Sequence, residues 1–235
     1  MHRTLKLRLV AALSLASAWH SAAQSTPDPS GHWEGAIMLP GRQLRFEIDL
    51  LRTGQGLLGL ATMPDENLKG IPLNLTIGGN SIRFHARKDQ PFDGVFSADL
   101  KSVDGEYTIE GNVLPFHMTR TGDAADTRPA PGPPVSARLE GEWSGTLAVN
   151  GANLKLLLTM ENRGAGSGAA LVDVDQGGLQ LPAVIRQSEP VLVVEIAGGA
   201  TWSGSFNTDR NELTGSYQER GRSVPLSFRR VASQQ

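Results

Sequence analysis

The chain contains no cysteine. It has no disulfide framework and no thiolate chemistry, so its fold rests on packing alone. Aromatic residues are few, at 6% with only two tyrosines, so each one that recurs at an equivalent position is informative. Positive charge is not in excess: 22 basic residues face 24 acidic ones. That balance argues against a nucleic-acid or anionic-membrane surface. No apolar run reaches the roughly 18 residues that a membrane-spanning helix needs. Beyond residue 23 no segment shows a 3.6-residue period, which excludes a fold of amphipathic helices.

Residues 1–23 read as an export signal. Arg3, Lys6 and Arg8 make a positive start, residues 9–19 a short apolar run, and Ser21, Ala22 and Ala23 a small-residue cleavage site. With no cysteine after it, a lipoprotein anchor is ruled out. The expected location is the periplasm or the medium. Cleavage removes three basic residues and leaves 19 against 24 acidic ones.

The dominant feature is a duplication. Residues 31–120 align with residues 141–230 at a constant offset of 110, without a gap, and 17 of the 90 pairs are identical. Among them are Gly31/Gly141, Trp33/Trp143, Gly35/Gly145, Asp65/Asp175, Pro72/Pro182, Gly94/Gly204, Gly105/Gly215, Tyr107/Tyr217 and Arg120/Arg230. A fixed repeat defines a folding unit. It also serves as an internal control, because a residue kept in both copies belongs to the fold first. The organisation is a signal (1–23), a polar leader (24–30), repeat 1 (31–121), a proline-rich linker (122–137), repeat 2 (138–231) and a tail (232–235). Four prolines make the linker an extended, semi-rigid spacer.

Within each repeat the period is two. Trp33, Gly35, Ile37 and Leu39 alternate with His32, Glu34 and Ala36; Leu154, Leu156, Leu158 and Met160 do the same in the second copy. Such alternation marks half-buried antiparallel strands. Further strands centre on residues 58–62, 71–77, 82–86, 92–98, 103–109 and 114–120, separated by Gly, Asn and Asp clusters. About eight short strands per repeat predict two tandem antiparallel up-and-down eight-stranded β-barrels, since closure removes unpaired edges. A pair of open sandwiches is the alternative. The expected outward positions include Arg45, Glu47, Asp49, Arg83 and His85, which would be costly against lipid.

Each repeat opens with G-x-W and ends in an arginine, Arg120 or Arg230, sharing parity with apolar neighbours. First and last strands adjoin in a closed barrel, so each arginine is expected across its tryptophan, Trp33 or Trp143. This Trp–Arg closure resembles the calycins, the lipocalin and avidin group. The longer pattern is G-x-W-x-G, a Gly70-Ile71-Pro72 strand, F-x-G-x-F from Phe92 and P-L-x-F from Pro225. It resembles a small β-domain that precedes secreted bacterial α/β-hydrolases of the serine aminopeptidase type. The resemblance implies calycin-like barrels, or an accessory pair working with a separate secreted hydrolase or peptidase.

Chemistry is scarce. No G-x-S-x-G elbow is present, and repeat 2 contains no histidine, which excludes a Ser-His-Asp site within it. The glycine run at 164–168 leads into a strand rather than a helix and reads as a hairpin, not a phosphate loop. His32, His85 and His117 are absent from the second copy and read as surface residues; neither metal nor cofactor is expected. Asp65 and Asp175 lie in the loop before the proline strand, as turn organisers or as ligand contacts. Tyr107, Tyr217 and Trp202 face inward, the tyrosines as polar handles for a ligand or as satisfied core groups. A filled core is the expected state of both barrels. Repeat 1 has the bulkier inward set, with Phe46, Phe84, Phe92, Phe96 and Phe116, so if one barrel holds a small apolar molecule it is expected to be the second. The expected function is a non-catalytic exported binding module taking a small apolar ligand, or an extracytoplasmic protein or glycan.

Overall fold

The computed structural model describes residues 28–149, 151–164, 166–175, 177–207, 209 and 211–232. The expected signal lies outside them, as do most of the leader and of the tail. The first barrel comprises β1 (Gly31–Leu39), β2 (Arg42–Thr53), β3 (Gly56–Met63), β4 (Leu68–Gly78), β5 (Ser81–His85), β6 (Phe92–Phe96), β7 (Ser102–Ile109) and β8 (Asn112–Gly122). The second comprises β9 (Gly141–Val149), β10 (Ala152–Arg163), β11 (Gly166–Asp173), β12 (Leu179–Ser188), β13 (Val191–Ile196), β14 (Ala200–Asn207), β15 (Glu212–Glu219) and β16 (Arg222–Arg230). Every neighbouring pair is antiparallel, and each set closes, β8 onto β1 and β16 onto β9. The chain is therefore two tandem eight-stranded barrels, as the alternation predicts. Among the described residues no helix is long and apolar enough to cross a membrane.

The repeated glycines explain how short barrels close around large rings. Gly94 faces Gly105 across β6 and β7, and Gly204 faces Gly215 across β14 and β15. A β-carbon on Gly105 would sit 2.6 Å from the Phe116 ring, and one on Gly215 would sit 2.7 Å from the Trp202 ring. Each bare pair is thus the floor on which one aromatic lies. The ring comes from β8 in barrel 1 and from β14 in barrel 2. Sterically the two copies solve one packing problem with different residues.

Trp33 and Trp143 are fully buried at the closed ends of their barrels. The Trp33 indole donates to the Pro29 carbonyl at 3.1 Å, and the Trp143 indole to the Leu139 carbonyl at 2.8 Å. Arg230 lies over Trp143 with its guanidinium carbon 4.4 Å from the ring centroid, and donates to the Glu140 and Arg138 carbonyls. Arg120 departs from the expectation of an enclosed arginine: it is exposed and donates at 3.4 Å to the Asp28 carbonyl. It sits at the strand end, where the rim lets its long side chain reach water and the leader instead of the core. Its guanidinium crowds the space beside Gly31, which therefore carries no side chain and has φ +151.

The linker is extended but not free. Ala125 donates its backbone N–H to Asp49 at 2.9 Å, Gly132 forms a two-bond bridge with Ser167, and Val135 exchanges bonds with the Asn162 amide. Asp49, expected on an open outer face, is consequently 1% exposed, because His32 and the linker cover it. The barrels also touch directly. Lys88 donates to the Gly177 carbonyl at 2.9 Å, and β4 packs beside β12.

Candidate functional site

In an up-and-down barrel the turns β1–β2, β3–β4, β5–β6 and β7–β8 share one end. The tryptophan closes the opposite end, so this end is the mouth. Barrel 1 is plugged there. The Phe92 ring stacks on Phe84 at 4.6 Å and against Tyr107 at 4.4 Å, with Phe46 and Phe116 around it at 5.4 and 5.2 Å. Each such contact adds about 0.5–1.5 kcal/mol beyond burial. The Tyr107 hydroxyl donates to Gln90 at 2.8 Å, and burial pushes its phenol pKa up.

Barrel 2 differs at that very point. The counterpart of Phe92 is Trp202, whose indole turns down over Gly204 and Gly215 and donates to the Leu226 carbonyl at 2.9 Å. It is 1% exposed. No ring from position 202 is left to cap Tyr217. A hollow of about 360 Å³ lies there, walled by Val149, Val224 and Tyr217 and rimmed by Glu219, Arg220 and Arg222. Tyr217 donates to Glu219 at 3.3 Å. Burial and then the Glu219 charge push the Tyr217 phenol up to about 12, so it stays neutral and a hydrogen-bond donor at any physiological pH.

Asp65 and Asp175 do not line this hollow. Asp65 pairs with Arg45 at 2.7 Å, while Asp175 accepts from the Lys155 backbone N–H at 3.0 Å. Residues 45 and 155 are themselves equivalent. Both aspartates thus pin their loop to the second strand of their barrel, which accounts for their repetition. His32 and His117 are not cross-strand partners: His32 stands opposite Gly122 and His117 opposite Ala36. They pair instead with Asp49 at 2.9 Å and Asp104 at 2.7 Å. Among the described residues no three His, Cys, Asp or Glu side chains come together as metal ligands.

The structure brings Tyr217 to an opening, uses Trp202 as core, and leaves Tyr107 plugged. Sequence reading missed the rim arginines, which lie in a turn of repeat 2 whose counterparts are Glu110 and Asn112. The aligned copies already carried that contrast.

No family model matches the chain, and no curated protein does. Among the solved structures that match, two align with most of it. One is a protein of unknown function of the DUF3598 family from Nostoc punctiforme PCC 73102, with 12% identity, 86% of this chain and 96% of that chain covered, and a TM-score of 0.22. The other is kievitone hydratase from Nectria haematococca, with 11% identity, 85% and 88% covered, and a TM-score of 0.22. At that TM-score neither carries an argument about chemistry.

Proposed function

We propose that this chain is an exported, non-catalytic binding module whose second barrel takes a small apolar ligand at its mouth. The carrying observation is the hollow of about 360 Å³ above Tyr217, within the roughly 300–1,000 Å³ of small-molecule sites. Its apolar walls and the Arg220 guanidinium at the rim suit a short alkyl chain ending in a carboxylate. Barrel 1 serves as the rigid partner that the linker fastens to the binding barrel.

Calorimetric titration of the mature protein with decanoate tests this reading. The expected result is one site per chain, weakened about tenfold in Arg220→Ala, since a hydrogen bond to a charged group is worth about 1.5–3 kcal/mol. Absence of decanoate binding, or unchanged affinity in that variant, would refute it. Export is tested separately by Edman sequencing of the protein from its host: a start at Gln24 supports it, and a retained Met1 opposes it.

A further inference from the structure

A second cavity of about 640 Å³ lies between the barrels. It is built from β3 and β4 of the first barrel and β10, β11 and β12 of the second, and the linker crosses it. Four lining positions are equivalent across the repeat: Leu58 and Gly168, Leu60 and Ala170, Gly70 and Gln180, Pro72 and Pro182. The duplicated proline thus faces its own copy across one cleft, a pseudo-twofold arrangement that neither barrel makes alone. Leu60 is 0% exposed although it stands on an outer face. Gly70 is needed on two counts. Its φ is +69, and a β-carbon there would lie 2.6 Å from the Thr127 carbonyl oxygen of the linker.

The charges around this cleft are already matched. Asp126 holds Arg128 through two bonds of 2.9 and 2.5 Å, and Glu161 holds Arg163. Such pairs leave little reward for a charged guest, whose desolvation would go uncompensated. We infer that the inter-barrel cleft is a second binding site, for an uncharged, mainly apolar molecule. This site is distinct from the barrel mouth, whose rim favours an anion.

The test uses Nile red, which is uncharged and mainly apolar, on the intact mature chain. Gly168→Phe is the diagnostic variant. A β-carbon at Gly168 meets no atom within 4 Å, so a ring there enters the cleft without disturbing the barrel wall. Ala130→Trp, on the linker side, is the second variant should the first fail to fold. The expected result is a one-site fluorescence titration in the parent. It should weaken at least tenfold in either folded variant with the melting temperature unchanged, and stay intact in Val224→Trp at the mouth of barrel 2. No Nile red binding by the parent would overturn the proposal. So would parent-like binding in a folded Gly168→Phe or Ala130→Trp, or loss only in Val224→Trp. Failure of decanoate binding leaves this cleft untouched, so the two readings stand or fall separately.

Discussion

Barrel 1 and barrel 2 share a backbone plan and differ in where one aromatic goes. In barrel 1 Phe116 covers the glycine floor and Phe92 is left to plug the mouth against Tyr107. In barrel 2 position 116 has become Leu226, too thin to cover the floor, and Trp202 drops into the gap. The mouth then loses its plug. The comparison teaches that an opening in a small barrel need not come from deleting bulk. Moving bulk from the mouth to the floor keeps the core packed and still exposes a hollow.

The largest effects should come from breaking this exchange. Trp202→Ala removes a buried indole from the glycine floor and should cost about 3–5 kcal/mol, read by chemical denaturation. Phe92→Ala should cost less, since Phe92 is only partly buried. A loss from Trp202→Ala below that from Phe92→Ala would break the account. Gly215→Ala is next, at about 1–3 kcal/mol of overpacking against Trp202, and Gly105→Ala should match it against Phe116.

The closed ends should separate less. Arg230→Ala loses a stack on Trp143 and bonds to two carbonyls, about 2 kcal/mol, whereas exposed Arg120→Ala should cost under about 1 kcal/mol. Equal melting shifts would mean that the two closures are equivalent after all. The smallest difference lies in the two phenols. Both are raised, Tyr217 to about 12, so tyrosinate absorbance should stay low through pH 10. The raised phenols favour the folded state fully below the ordinary tyrosine pKa of about 10. That contribution falls as pH rises from about 10 toward 12, because there the folded protein holds more protons than the unfolded chain. A phenol titrating at or below pH 10 would contradict the burial of Tyr217.

Much of the fold was legible because one face of each strand is dry. Alternation at Leu154, Leu156, Leu158 and Met160 sets register, and the repeated glycines mark floors and turns. The Trp–Arg relation was legible only in outline. Parity put Arg120 and Arg230 on the apolar side, but the last turn of a strand lets a long side chain leave that side. The cleft was harder to see. Leu60 and Pro72 look like ordinary strand residues until a second barrel and a linker cover them, and Asp49 looks exposed for the same reason. The mouth of barrel 2 depends on which way one indole turns, a packing choice that composition cannot express.

The most direct test pairs Val224→Trp with Leu114→Trp, equivalent positions at the two mouths, in a decanoate titration. The account predicts that Val224→Trp abolishes binding while Leu114→Trp leaves affinity and stoichiometry unchanged. Binding that survives Val224→Trp, or disappears in Leu114→Trp, would contradict the assignment of the open site to the second barrel.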